Sequence, residues 1–114
     1  MLKAPVKNPY EVLVVIKSNI NDDDLDKNID QIESAIKNYG GNIIKSDEPV
    51  RKRFTHMIKG FKEGYYVSIL FNSPSEVPNM LKRTLSISDD VIRYTIVKRE
   101  SRKWVYLLLL FPGH

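Results

Sequence analysis

The 114-residue chain contains no cysteine, a single tryptophan and two histidines. Without cysteine there is no disulfide framework, no thiolate nucleophile and no thiolate metal site, which fits a reducing compartment. His56 and His114 stand 58 positions apart, with none of the close spacing of a metal-binding pair. No glycine-rich loop opens a helix to cradle phosphate, because Gly40-Gly41 follows a helical stretch. The acidic group Asp22, Asp23, Asp24, Asp26 and Asp30 lacks the glycine and closing glutamate of a calcium loop. It reads as the charge bias of a helix start. No nucleophile-turn signature surrounds any serine. Nothing here argues for an enzyme, a metal or a cofactor.

Long apolar runs are missing too. Residues 104–111 (WVYLLLLF) form the longest, eight residues, where a membrane-spanning helix needs about 18 or more. The first eight residues carry Lys3 and Lys7 and no apolar stretch, too little for a signal or transit peptide. Neither a membrane nor a small-molecule substrate is expected as a partner. The run at 104–111 leaves two readings open. It is a terminal segment that packs on its own domain or is poorly ordered, or it docks a partner, since an exposed strip this greasy favours association.

What the chain does have is 42% apolar and 28% charged residues, the balance of one globular domain with a core of its own. The net charge of +4 is unevenly placed: residues 1–50 hold six lysines against nine acids, and residues 51–114 hold twelve cations against five acids. The second half should attract anions.

Residues 10–16 (YEVLVVI) are uninterrupted and β-branched, which suits a central strand. Asn21 and the aspartates after it start a helix whose buried stripe is Leu25, Ile29, Ile32, Ile36 and Tyr39. Gly40-Gly41 ends it. A strand begins at Asn42-Ile43-Ile44 and resumes over 50–58. Pro49 between them favours an edge position. Residues 59–64 read as a hairpin loop and 65–71 (YYVSILF) as the next strand. Ser73-Pro74-Ser75-Glu76 opens a second helix that buries Val77, Met80, Leu81 and Leu85, with Pro78 in its first turn. Residues 91–99 close as a last strand. The order βαββαβ predicts an α+β fold of the ferredoxin-like, split βαβ kind: a four-stranded antiparallel sheet with two helices on one face. The expected division is an N-terminal arm (1–8), the domain (9–100) and an apolar tail (101–114).

The open face of the sheet is the expected working surface. Arg51-Lys52-Arg53 is the densest basic run and lies on the edge strand, where cations either discourage edge pairing or address phosphates. Alternation on the last strand turns Ile92, Tyr94 and Ile96 toward the helices. It sends Arg93, Thr95, Val97 and Arg99 to the open side, with Lys98 nearby. The expectation is that cations on two adjoining strands grip a polyanion. Tyr65, Tyr66 and Phe71 could stack bases as in RNA-recognition domains. However, Lys62-Glu63-Gly64-Tyr65-Tyr66-Val67 carries an acid before the glycine, and Ile69 stands where an aromatic is wanted. Packing is the expected fate of these rings.

Several stretches, taken in order, carry a resemblance. They are Pro9-Tyr10-Glu11, Asn38-Tyr39-Gly40-Gly41, Arg51-Lys52-Arg53-Phe54 with Ile58-Lys59, Lys62-Glu63-Gly64-Tyr65-Tyr66-Val67, and Val91-Ile92-Arg93-Tyr94 running to Val97-Lys98-Arg99-Glu100. Over residues 9–100 the chain resembles the bacterial-type small-subunit ribosomal protein six family. It departs from the family's usual basic strand at Pro49-Val50 and at Phe54-Thr55-His56. The resemblance implies the same fold, no catalysis, and a ribosomal protein that binds small-subunit rRNA in a heterodimer with ribosomal protein eighteen. By position it makes Arg51, Lys52, Arg53 and Arg93 the RNA or partner contacts, with Lys98 and Arg99 behind them. The implied location is the cytoplasmic ribosome, with an organellar ribosome as the alternative. Two rival functions stay open: a regulatory ferredoxin-like module that binds a ligand or dimerises, and a free-standing single-strand RNA binder.

Overall fold

A computed structural model describes residues 7–99, so most of the expected arm and all of the expected tail lie outside the described residues. The elements run β1 (Asn8–Lys17), α1 (Asp22–Asn38), β2 (Asn42–Ser46), β3 (Val50–Ile58), β4 (Phe61–Ser73), α2 (Val77–Ser86) and β5 (Val91–Lys98). All described pairings are antiparallel. The sheet order is β2-β4-β1-β5, with β3 also pairing β4. This is the ferredoxin-like arrangement, with its second strand in two pieces. β2 lies against residues 69–72 of β4 and β3 against residues 61–66, so both share one edge with Pro49 between them. A proline removes a ladder donor, and an edge tolerates that.

The helices form where the sequence pattern demands them. Asn21 caps α1, its Oδ1 accepting the Asp24 N–H at 2.8 Å, and Asp22, Asp23 and Asp24 complement the helix dipole. Leu25, Ile32 and Ile36 are buried as the stripe predicts, while Ile29 and Tyr39 are half-buried at its margins. The Tyr39 hydroxyl meets Thr84 Oγ1 at 2.7 Å, tying α1 to α2. In α2, Val77, Leu81 and Leu85 follow a four-residue step into the core. Met80 was expected inside and is 41% exposed instead, because that step turns the neighbouring position outward.

The helices cover one sheet face. There Val12, Val14, Ile16, Val67, Ile69 and Phe71 meet Ile36, Val77, Leu81 and Leu85, all fully buried. Each such side chain contributes about 1.5–3 kcal/mol on leaving water. Tyr94 and Ile96 of β5 pack against this core as expected. A bulge opposite Val15 and Ile16, however, puts Val91 rather than Ile92 into the core cluster. Among the described residues no helix is long and apolar enough to cross a membrane.

Residues 59–64 are not a loop. Only Lys59 and Gly60, with φ of 49° and 84°, make the turn, and β4 starts at Phe61. Two consecutive positive φ values mark the two-residue hairpin turn whose twist matches the flanking strands. A buried polar group also escaped the hydrophobic reading. Asn28 is 8% exposed, and its amide donates to Asp24 O and Asp90 Oδ2, both at 2.9 Å. Lys17 pairs with the other Asp90 oxygen at 2.9 Å. The Asn28 hydrogen bond and the Lys17 ammonium together hold the Asp90 carboxyl below its ordinary range.

Candidate nucleic-acid interface

Directly paired residues of an antiparallel sheet share a face, so the strand register places every candidate side chain. Across the open face, one row reads Val50, Tyr66, Val15, Arg93, and the next toward the hairpin reads Lys52, Gly64, Lys17. In the other direction follow Ser68, Leu13, Thr95, and then Leu70, Glu11, Val97. The basic run is therefore divided. Lys52 belongs to the open face, while Arg51 and Arg53, opposite Tyr65 and Glu63, belong to the helix side. Lys98, opposite Tyr10, is also on the helix side, at the far edge.

The two cation-bearing strands do not adjoin. β3 and β5 are opposite edges of the sheet with β4 and β1 between them, about 14 Å apart at the usual strand spacing. The reason is the split βαβ topology, which inserts the third strand of the unit between its neighbours in sequence. No single continuous stripe of cations exists across the six candidates.

What the structure assembles instead is a basic ribbon. β1 ends at Lys17, opposite Gly64, but the β3–β4 pairing continues to Ile58 opposite Phe61. Beyond Gly64 the hairpin is two-stranded. Residues 51–63 carry Arg51, Lys52, Arg53, Lys59 and Lys62 against the single acid Glu63. Arg51 is held by Glu63, which keeps its guanidinium charged, and its Cζ lies 5.8 Å from the Tyr65 ring centre. Lys52 Nζ lies 5.5 Å from the Tyr66 ring centre. Among the described residues, no carboxylate lies within ion-pair distance of Lys52, Arg53, Arg93 or Lys98.

A small aromatic cluster fixes the root of this ribbon. Phe54 meets Tyr66 edge-on with ring centres 6.1 Å apart, and Val15 beneath is 3% exposed. Gly64 is what lets Phe54 lie down: a Cβ there would stand 2.9 Å from Phe54 Cζ and 2.8 Å from the Ile16 carbonyl oxygen. Tyr65 packs against the core on the other face. Both tyrosines thus have packing roles.

Arg99 has a different task. Its Nε donates to Glu11 Oε1 at 2.9 Å, Nη2 reaches the same oxygen, and its backbone N–H donates to Pro9 O at 2.7 Å. Ser68 Oγ donates to Glu11 Oε2 at 2.7 Å. Partial burial pushes the Glu11 carboxyl up, and the Ser68 hydroxyl and Arg99 guanidinium more than reverse this, leaving it below its ordinary value. Arg99 therefore pins the end of β5 to the open face. Lys59 and Lys62 were not among the sequence candidates. The signal that could have found them is Lys59-Gly60 followed by Phe61, a turn pair entering a strand.

Fold and surface together define a ferredoxin-like domain that carries five cations and one acid over residues 51–63 of its β3–β4 hairpin. Residues 9–98 match the family model for Ribosomal protein S6, and the chain belongs to that family. It is 34% identical over 99 residues to the small ribosomal subunit protein bS6 of Protochlamydia amoebophila, covering 87% of each chain. It is 30% identical over 93 residues to that of Heliobacterium modesticaldum, covering 82% of this chain and 97% of the other. The crystal structure of 30S ribosomal protein S6 from Thermotoga maritima superposes with a TM-score of 0.82. It is 20% identical and covers 93% of this chain and 100% of that one, which shows the shared fold. The family is one of structural ribosomal proteins rather than enzymes.

Proposed function

We propose that the protein binds small-subunit rRNA by phosphate neutralisation, in a heterodimer with ribosomal protein eighteen, and performs no catalysis. The β3–β4 hairpin carries this reading: it bears five cations and one acid, with Arg53, Lys59 and Lys62 on the two-stranded part beyond the end of β1. Cations on such a ribbon contact phosphates without reading base edges, so affinity should be salt-dependent and weakly sequence-dependent. Arg51, Lys52 and Arg53 are the principal contacts, and Arg93 is a second one at the opposite edge. Lys98 contributes less, and Arg99 mainly positions β5. The heterodimer rests on family membership, as does the location on a cytoplasmic ribosome.

The test is binding of the partner-loaded rRNA platform across a salt series. Replacing Arg51, Lys52 and Arg53 by alanine should reduce the slope of log affinity against log salt by about 1.5, counting Arg51 as largely offset by Glu63. An unchanged slope overturns the proposal.

A further inference from the structure

The sheet ends on one side at β5, whose outer border meets no strand among the described residues. Past the bulge at Ile92 the strand keeps regular register from Arg93 to Lys98, with no proline. Alternate residues of such a border turn both N–H and C=O outward, a template for one more strand.

What sets this border apart is the charge around it. Arg93 stands on the open face and Lys98 on the helix side. A third cation comes from the helix layer. α2 packs against β5, and its Thr84 turns toward α1 to meet the Tyr39 hydroxyl. Lys82 is about 200° round the helix from Thr84, on the flank away from α1 and toward the outer border of β5. All three cations are exposed. Among the described residues, no carboxylate lies within ion-pair distance of any of them. Residues 77–98 hold two acids, Asp89 and Asp90, and Asp90 is engaged by Lys17 and Asn28.

That charge selects among the occupants that could add there. A second copy pairing β5 to β5 would set Arg93, Lys98 and Lys82 against their own duplicates, and like charges across a ladder are destabilising. A polynucleotide offers phosphates but cannot continue a β-ladder. An acidic extended polypeptide gains at all three cations while its backbone satisfies the outward N–H and C=O groups. Half-buried Tyr94 and Ile96 on the helix side offer apolar contact to its alternate side chains.

We propose that β5 is a docking edge for an extended acidic segment of a partner protein, which joins the sheet as a further strand between Arg93, Lys98 and Lys82. The inference does not rest on the rRNA reading. Arg93 serves in both and Lys82 in this one alone, so the two fail separately.

The probe is a capped, fluorophore-labelled peptide of alternating glutamate and valine, matched to β5 in length. It is titrated into the full-length protein by anisotropy, and amide exchange followed by NMR locates it. Exchange should slow at the outward amides of residues 93–98 and stay unchanged in the β3–β4 hairpin. A lysine–valine counterpart should bind at least about tenfold more weakly. So should a glutamate–valine peptide with every amide N-methylated, which keeps the charge and loses the ladder. Lys82→Glu and Arg93→Glu should each weaken binding several-fold. Lys37→Glu, the same charge change at the end of α1, should alter it by less than about twofold. Lys82 is an exposed helix position, so its variant still reports if Arg93→Glu fails to fold.

The proposal is overturned if the acidic peptide does not bind, or if exchange slows in the hairpin instead of in β5. It is equally overturned if the N-methylated peptide binds as well as its parent, or if both β5-border variants bind like the unaltered chain. Outward β5 amides already protected without peptide also defeat it. Protection that grows with protein concentration would mark a second copy as the occupant, and protection at every dilution the chain itself.

Discussion

Gly64→Ala puts the architecture of the ribbon root to a direct test. The added methyl meets three neighbours at once: Ile16 O at 2.8 Å, Phe54 Cζ at 2.9 Å and Val15 Cγ1 at 2.9 Å. Phe54 can swing away, but the Ile16 carbonyl belongs to the central strand and cannot. Overpacking of this kind costs about 1–3 kcal/mol. Against it stands the entropy gained by restricting the unfolded chain, about 0.4–1 kcal/mol for Gly→Ala. The steric term wins, and a net loss of about 1–2 kcal/mol lowers the melting temperature of a domain this size by about 5–15 °C. Thermal denaturation followed by circular dichroism measures it. The double variant Gly64→Ala with Phe54→Ala should cost less than the two single changes summed, since the ring is one of the clashing partners. A Gly64→Ala protein as stable as the parent would refute the placement of Phe54 over Gly64, and with it the anchoring of the ribbon.

Two further outcomes follow from the polar anchors. Asn28→Ala should cost about 1–1.5 kcal/mol in urea unfolding, because it removes the donor that Asp90 accepts from at the end of β1; no change would show that the link is idle. Glu11 has a folded value depressed below the ordinary 4.5, so its contribution is fully present above that pH and is lost as pH falls through the folded value. Unfolding curves from pH 6 to pH 2 should therefore show a shallower acid loss for Glu11→Gln than for the parent, and parallel curves would contradict the Ser68–Glu11–Arg99 geometry.

The element order was legible because hydrophobic periodicity is local: the α1 stripe, the β-branched run of β1 and the Pro49 interruption all speak within a few residues. The faces of β3 were equally legible in principle, since a period of two separates Lys52 from Arg51 and Arg53. Reading those three as one patch overlooked it. The separation of β3 from β5 belongs to topology, and strand order is set by how helices pack across the sheet. Asn28 lay hidden because a polar residue on a helix margin looks solvent-facing until its distant acceptor, Asp90, is known. Gly64 was visible as a glycine before two tyrosines, but only the ring of Phe54 explains it.

The interruption at Pro49 has a bearing on how the molecule keeps to itself. On that border of the sheet a foreign strand would meet β2 for five residues, with a register slip between Ile43 and Lys45, and then a proline before β3 resumes. Such a broken template does not propagate a long intermolecular ladder. The opposite border, β5, is continuous from Val91 to Lys98, so any filament-like stacking of copies would have to grow from there, past Arg93 and Lys98.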